Sequence, residues 1–239
     1  MKNKKNQPSK ALETVQRWFH DRGWKPFDFQ LQAWDAYLQG KSGLIHAPTG
    51  IGKTYAAWFG PLLESMADDG QDLVSPDDSA TQRLRILWVT PLRALATDIR
   101  IALWQAVKDL GLPWSVECRT GDTTAAFKSR QKKRLPTVLI TTPESLTLLL
   151  SYSGAREKFD HLRLVVADEW HELMGSKRGI LAELAVARLR SWNRQLKIWG
   201  LSATLGNTET AMQVLLGDTA DRGCLIQGLQ SKSLAVESI

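Results

Sequence analysis

The run Ala47-Pro48-Thr49-Gly50-Ile51-Gly52-Lys53-Thr54 constrains this chain more than any other feature, because it stands between an apolar segment, Leu44 to His46, and a helix-like segment beginning at Thr54. A strand, a glycine-bearing turn ending in Lys-Thr, and then a helix is the setting in which a Walker A phosphate loop works. Gly50 and Gly52 let the backbone turn so that its N–H groups face phosphate oxygens, and the helix N-terminus adds the positive end of its dipole. In such a loop Lys53 reaches the β- and γ-phosphates of a nucleoside triphosphate, and the Thr54 hydroxyl is offered to Mg²⁺. The first position holds Ala47 where the strict pattern has glycine. Taken alone, the eight residues also fit a tight strand-to-helix turn with a surface lysine.

The rest of the chain supplies the sheet that such a loop needs. Apolar residues Leu12, Val15, Trp18 and Phe19 recur at helical spacing within 11–24, which predicts a helix ending near Asp21, and a second helix fits Phe29 to Leu38, closed by Gly40. Short apolar runs then predict strands at Gly43 to His46, Arg85 to Val89, Ser115 to Arg119, Thr137 to Ile140, Leu162 to Ala167 and Lys197 to Gly200. Between them lie helix-like segments: Thr54 to Met66, kinked or ended by Pro61, then Leu95 to Leu110, Thr123 to Lys133, Pro143 to Leu150, Ile180 to Trp192 and Thr208 to Leu216. Strands alternating with helices predict an α/β fold, a mostly parallel sheet with helices on both faces. Residues 67–83, rich in Asp, Ser and Gly, read as a surface loop. The expected organisation is a flexible basic tail at 1–10, one domain at 11–220, and the start of a linker or truncated segment at 221–239.

Composition narrows the setting without deciding it. With 239 residues, 43% hydrophobic and 23% charged, the chain is long enough to bury one sizeable core. No apolar run approaches the roughly 18–20 residues that span a bilayer, and no apolar stretch follows the basic N-terminus, so no membrane partner and a cytoplasmic location are expected. Cys118 and Cys224 sit in no metal-ligand spacing and read as reduced thiols. The net charge of +6 favours an acidic partner only weakly. Most of the ten tryptophans read as packing residues rather than as a stacking platform.

A triphosphate site also needs carboxylates at the end of a neighbouring strand. The apolar run Leu164-Val165-Val166-Ala167 ends in Asp168-Glu169-Trp170-His171. Asp168 is suited to hold hydrated Mg²⁺ and Glu169 to orient and deprotonate the attacking water.

Asp168-Glu169-Trp170-His171 resembles the DExH box of superfamily 2 helicases, and Ser202-Ala203-Thr204 resembles their motif III, which couples the nucleotide site to movement. Phe27-Asp28-Phe29-Gln30 resembles the Q motif, in which Phe27 and Gln30 would face adenine; the Gln30 amide offers both a donor and an acceptor. Thr90-Pro91-Leu92-Arg93-Ala94-Leu95 resembles motif Ia, Arg119-Thr120-Gly121-Asp122 motif Ib, and Thr141-Thr142-Pro143-Glu144-Ser145-Leu146 motif Ic. In the family these line a nucleic-acid groove. The chemistry suits it, since hydroxyls, helix-start N–H groups and arginines grip phosphates without reading bases. Thr142 before Pro143 is also an ordinary helix-cap signature. Lys128, Arg130, Lys132, Lys133 and Arg134 either flank the strand or form a solvated helix face.

More narrowly, DEWHELMGSKRG and the following Leu181 to Arg190 resemble the large helicase-related (Lhr) group, and within it the bacterial ligase-associated DExH helicases, over about residues 11 to 220. The resemblance implies a RecA-like P-loop NTPase domain binding ATP and Mg²⁺, with Lys53, Asp168, Glu169 and His171 as the catalytic set. It implies an ATP-dependent helicase or translocase on single-stranded or duplex DNA, tied to DNA repair, with a ligase or nuclease as partner. Lys177 and Arg178 either touch the strand or make a basic surface loop. An RNA or RNA–DNA hybrid track is the nearest alternative, and a non-catalytic nucleic-acid-binding fragment the next. No motif IV, V or VI stands before Ile239, so a second RecA-like domain with its arginine finger is expected elsewhere, and this segment alone is expected to bind ATP weakly and hydrolyse it poorly.

Overall fold

The computed structural model describes residues 10–67 and 83–228. The expected basic tail up to residue 9, most of the expected 67–83 loop and residues 229–239 lie outside the described residues.

Two helices, α1 (Lys10–His20) and α2 (Asp28–Leu38), precede the first strand, β1 (Gly43–His46). From there strands and helices alternate: α3 (Lys53–Ala67), β2 (Ile86–Val89), α4 (Arg93–Asp109), β3 (Val116–Arg119), α5 (Ala125–Lys133), β4 (Val138–Thr141) and α6 (Pro143–Leu150). A one-turn helix, α7 (Ala155–Lys158), leads into β5 (Leu164–Ala167), and a second, α8 (Trp170–Leu173), follows it directly. Then come α9 (Lys177–Trp192), β6 (Lys197–Ser202), α10 (Thr208–Leu216), a 3₁₀ turn (Gly217–Arg222) and β7 (Cys224–Gln227). The seven strands form one sheet in the order β3-β4-β2-β5-β6-β1-β7, and every pairing is parallel.

Each strand feeds both faces, because successive side chains point opposite ways. Ile45, Trp88, Ile140, Val166 and Trp199 join α1 to α4 in one core, while Leu44, Leu87, Leu139, Val165 and Ile198 join α6, α9 and α10 in the other. Strands buried on both faces account for the continuous apolar runs in the sequence. Most tryptophans go to this packing: Trp34, Trp58, Trp88, Trp170 and Trp199 are buried, whereas Trp24 and Trp104 are exposed.

Three expectations need correction. Pro61 does not end α3, which runs on to Ala67; every residue from Ala56 to Leu63 is buried, and Tyr37 of α2 packs so closely on Gly60 that an added Cβ would lie 2.8 Å from it, so packing holds the helix past the missing N–H. Helix α9 starts at Lys177 rather than Ile180, because the Ser176 hydroxyl accepts from the Gly179 N–H at 3.0 Å as an N-cap. The stretch after Gly217, which has no readable period, contains β7 paired to β1; the sheet therefore runs past residue 220. Among the described residues no helix is long and apolar enough to cross a membrane.

Candidate functional site

In a parallel sheet all strand ends of one kind lie along one edge, and ligands bind at the C-terminal one. That edge carries every motif. At the tips of β1, β6 and β5 stand the 47–54 loop, Ser202 and Asp168; at the tips of β2, β4 and β3 stand Thr90, Thr141 and Arg119.

The 47–54 loop has the backbone its glycines promise, with φ of +81° at Gly50 and +85° at Gly52. A Cβ on Gly52 would stand 2.6 Å from the Gln30 amide nitrogen, so this position needs glycine for its conformation and for space. Lys53 is buried and folds onto its own loop, its ammonium donating to Ala47 O at 2.8 Å and Pro48 O at 3.1 Å. Burial lowers its pKa against the opposing pull of Glu169 and Asp168. Two main-chain carbonyls thus hold the cation that phosphate oxygens would claim.

Asp168 is buried and tied to β2 twice: its N–H donates to Val89 O at 2.7 Å, and its Oδ2 accepts from the Trp88 indole N–H at 3.2 Å. Oδ1 accepts from the Glu169 N–H at 3.0 Å. Burial pushes the Asp168 carboxyl up to about 6, with Glu169 adding to the rise and the Trp88 N–H opposing it. Glu169 has φ +45° and ψ +49°, the left-handed region, and among the described residues no other non-glycine has positive φ. That conformation costs about 1–2 kcal/mol and turns the chain from β5 into α8. The Glu169 Oε2 atom is buried, accepts no hydrogen bond and lies 3.4 Å from His171 Nδ1.

His171 Nδ1 also lies 3.1 Å from the Ser202 hydroxyl, so one ring nitrogen bridges the carboxylate and the tip of β6. Of the Ser202–Thr204 triplet, Ser202 is buried, its hydroxyl reaching Thr204 O at 3.5 Å, and Ala203 continues the turn. Trp170 faces the core and donates its indole N–H to Ala211 O of α10 at 3.0 Å, which anchors the tetrapeptide from beneath.

These groups frame a cleft of about 390 Å³ lined by Thr49, Gly50, Lys53, Thr54, Asp168 and Glu169, with Asp98 and Ile99 of α4 on the far wall. A hard cation fits there: Asp168 and the Thr54 hydroxyl are oxygen donors facing a phosphate loop, and Mg²⁺ typically takes one or two protein oxygens plus phosphate and water. Consistently, among the described residues no group of three or more His, Cys, Asp or Glu forms a self-sufficient metal cage. Next to this cleft a hollow of about 270 Å³ is lined by Trp24, Phe27, Gln30, Ile51, Gly52 and Tyr55. The Gln30 amide donates to Gly52 O at 2.9 Å and accepts from the Phe27 N–H at 2.9 Å, so it clips the α2 start to the phosphate loop. Phe27 is exposed and stacks on Phe29 with centroids 5.9 Å apart, a flat apolar wall of the kind a purine covers.

The other half of the edge is divided between surface and interior. Arg93, Gly121, Asp122, Glu144, Lys177 and Arg178 are exposed, and Ser145 is half-buried. Arg93 pairs with Asp122 at 2.9 Å; Arg178 pairs with Glu144 at 2.7 Å and donates to Pro91 O at 3.1 Å, so the 90–95, 141–146 and 175–179 segments meet on this arginine. Thr90, Pro91, Thr120, Thr141, Thr142 and Pro143 are buried and hold the loops rather than facing outward. Arg119 is 1% exposed, its guanidinium donating to Lys128 O at 3.1 Å and lying 3.4 Å from Gln131 Oε1; in this arrangement it braces β3 against α5. Within the basic cluster, Lys128 donates to Gly121 O at 2.8 Å and Arg130 pairs with Glu117 at 2.7 Å.

Motif matching passes over four neighbours of the cleft: Trp88, Asp98, Tyr55 and Trp24. Trp88 reads as strand core and Asp98 as a helix surface, and only the fold brings them to the carboxylate edge.

With that geometry in hand, three comparisons bear on the chain. The sequence model of the DEAD/DEAH box helicase family matches residues 27–212. The ATP-dependent helicase Lhr-Core of Methanothermobacter thermautotrophicus is 36% identical over 201 residues, covering 79% of this chain and 22% of that protein. The Lhr helicase/uracil glycosylase of Escherichia coli is 34% identical over 212 residues, 84% of this chain and 14% of that one. Among solved structures, Mycobacterium smegmatis helicase Lhr bound to ssDNA and AMP-PNP superimposes with a TM-score of 0.74 at 31% identity, covering 90% of this chain and 27% of that one. The chain therefore spans between about a seventh and a quarter of the length of these relatives.

Proposed function

Since the chain belongs to the DEAD/DEAH box helicase family, as an Lhr-type ATP-dependent helicase domain with a RecA-like parallel sheet, we propose that it is the ATP-binding half of a DNA helicase or translocase that acts in DNA repair. The observation that carries the reading is the shared cleft in which Lys53 and Thr54 from the β1 loop face Asp168 and Glu169 from the β5 tip. Family membership alone does not require intact chemistry. A cation, an acidic pair and a hydroxyl converging on one cleft support it.

In this reading Lys53 leaves the Ala47 and Pro48 carbonyls for the β- and γ-phosphates, and loop N–H groups from Thr49 to Thr54 take the remaining phosphate oxygens. Asp168 and Thr54 would hold Mg²⁺, which would neutralise negative charge on the phosphates. Glu169 takes the proton of the attacking water, with His171 beside its Oε2 holding the carboxylate in place. His171 passes the state of Glu169 to Ser202 and the Ser202–Thr204 turn. Gln30 and Phe27 hold the base. Arg93, Arg178, Lys177, Ser145 and the Gly121–Asp122 turn face the strand, with buried Thr90, Thr120, Thr141, Thr142 and Arg119 fixing the loops behind them. The DNA reading draws on the M. smegmatis Lhr complex, which holds ssDNA. A second RecA-like domain, ligase or nuclease partners and a cytoplasmic location belong to the same proposal, as does the ligase-associated subgroup.

The test is ATP hydrolysis by the longer protein with single-stranded DNA or RNA of equal length. The expected outcome is stronger stimulation by DNA, and Glu169→Gln should bind ATP while losing turnover. Preferential stimulation by RNA would remove the DNA assignment, and undiminished turnover in Glu169→Gln would remove Glu169 as the base.

A further inference from the structure

We propose that Trp88 is a positioning residue for Asp168: its indole N–H fixes the orientation of the carboxylate that binds Mg²⁺ in the function proposed above, on which this inference rests. Trp88 has no accessible surface, and its single polar atom lies 3.2 Å from Asp168 Oδ2. An indole has one donor and no acceptor, so this bond is its whole polar connection. It is directional in a way that apolar packing is not.

Asp168 is held at three points. The backbone bond to Val89 O sets where the residue stands, the Glu169 N–H occupies Oδ1, and Trp88 occupies Oδ2. The two carboxylate bonds come from opposite sides, one from β2 and one from the turn after β5. Together they prevent rotation about the Cβ–Cγ bond and leave the remaining lone pairs toward the cleft. Without the indole donor, the one remaining hydrogen bond to the carboxylate among the described residues comes from the strained Glu169 turn. Hydrogen-bond partners of metal-binding carboxylates, when removed, typically cost 10–100-fold in metal affinity. Nothing in the 168–171 box encodes this partner, which lies on a neighbouring strand 80 residues away.

The fold supplies its own control. Trp199 on β6 is likewise buried and also donates its indole N–H, at 3.1 Å, but to Lys41 O, away from the carboxylates. Trp88→Phe and Trp199→Phe both delete one buried indole bond and shrink a core side chain, yet only the first touches Asp168. Binding of a fluorescent AMP-PNP analogue to the chain should be titrated with Mg²⁺ and repeated in EDTA. In Trp88→Phe the half-saturating Mg²⁺ concentration is expected to rise roughly tenfold or more, with metal-free nucleotide binding within about twofold of wild type; Trp199→Phe should leave both within about twofold. Equal Mg²⁺ requirements in the two variants would overturn the proposal. A wild type that binds the analogue with no Mg²⁺ dependence would instead overturn the nucleotide-site reading beneath it.

A second measurement stands even where Trp88→Phe fails to fold. All ten tryptophans lie within the described residues, and with ¹⁵N-labelled indoles one side-chain resonance is expected to shift in Asp168→Ala and to shift again in wild type on adding Mg²⁺ and AMP-PNP. If no indole resonance responds to Asp168→Ala, Trp88 does not hold the carboxylate.

Discussion

Burying Asp168 at the tip of β5 carries a cost for the fold. Its carboxyl is pushed up to about 6 by burial, from an ordinary 3.8. Between those values the folded protein binds a proton that the unfolded chain releases, so the stability of the metal-free protein falls as pH rises from about 4 to about 6 and levels off above. The difference amounts to on the order of 2–3 kcal/mol, because one pKa unit corresponds to about 1.4 kcal/mol. Asp168→Asn is therefore expected to stabilise the metal-free protein at pH 7.5 by about that amount and to flatten its pH profile, while abolishing hydrolysis. Urea denaturation in EDTA across pH 4–8 checks it; an Asn variant less stable than wild type at pH 7.5 would mean that the two hydrogen bonds to the carboxylate outweigh the cost of burying it. The sequence displays this residue plainly, since an apolar strand ending in Asp-Glu can be read without a fold. It does not display Trp88. Arg119 shows the opposite failure: an arginine beside Thr-Gly-Asp has the right chemistry for phosphate, yet Gln131 and the Lys128 carbonyl on α5 take its guanidinium inward.

At the scale of elements, the α8–α9 corner carries both packing and part of the proposed nucleic-acid surface. Gly179 sits where an added Cβ would stand 1.9 Å from Leu173 O, the carbonyl that also accepts from the Ser176 hydroxyl at 2.7 Å. Gly179→Ala is expected to cost about 1–3 kcal/mol by forcing α9 away from α8, read as a lower urea midpoint with unchanged m. The same corner aims Arg178 at Pro91 O and Glu144. Arg178→Ala should weaken single-stranded DNA binding across all sequences and reduce the slope of log affinity against log salt by about 1. Sequence-selective loss, or an unchanged slope, would place Arg178 outside the phosphate contacts. Helices of two turns or more were legible here: α6 and α10 match their expected limits. The one-turn helices α7 and α8 were not, since four residues contain no period to read, and the left-handed Glu169 that starts α8 is invisible in a residue type that normally avoids that conformation. Strand β7 escaped because a four-residue edge strand with an exposed Leu225 has neither a long apolar run nor clean alternation.

Across the whole molecule, strand order sets the distance between the two proposed binding regions. Five strand steps lie between β1 and β3, roughly 24 Å at about 4.8 Å per step, and β5 with its two carboxylates stands between the phosphate loop and the strand-facing tips. The cleft itself is walled by the segment from Thr49 to Tyr55, by Asp168 and Glu169 after β5 and by α4 residues, and among the described residues its lining contains a lysine but no arginine. Phosphoryl transfer builds charge on the γ-phosphate oxygens, and an arginine placed on that charge accelerates related NTPases by roughly 10³–10⁵. On the proposed reading Asp168 binds the metal, Glu169 is the base and Lys53 is the one side-chain cation in the cleft lining to meet the transition state. We expect the 239 residues alone to bind nucleotide and hydrolyse it slowly, and a longer protein that contributes an arginine to this cleft to gain at least a thousandfold in kcat. Steady-state ATPase of the two proteins under single-stranded DNA saturation decides it: turnover by the 239 residues within tenfold of the longer protein would mean that Lys53 and the loop N–H groups suffice, and that any second domain serves movement rather than chemistry.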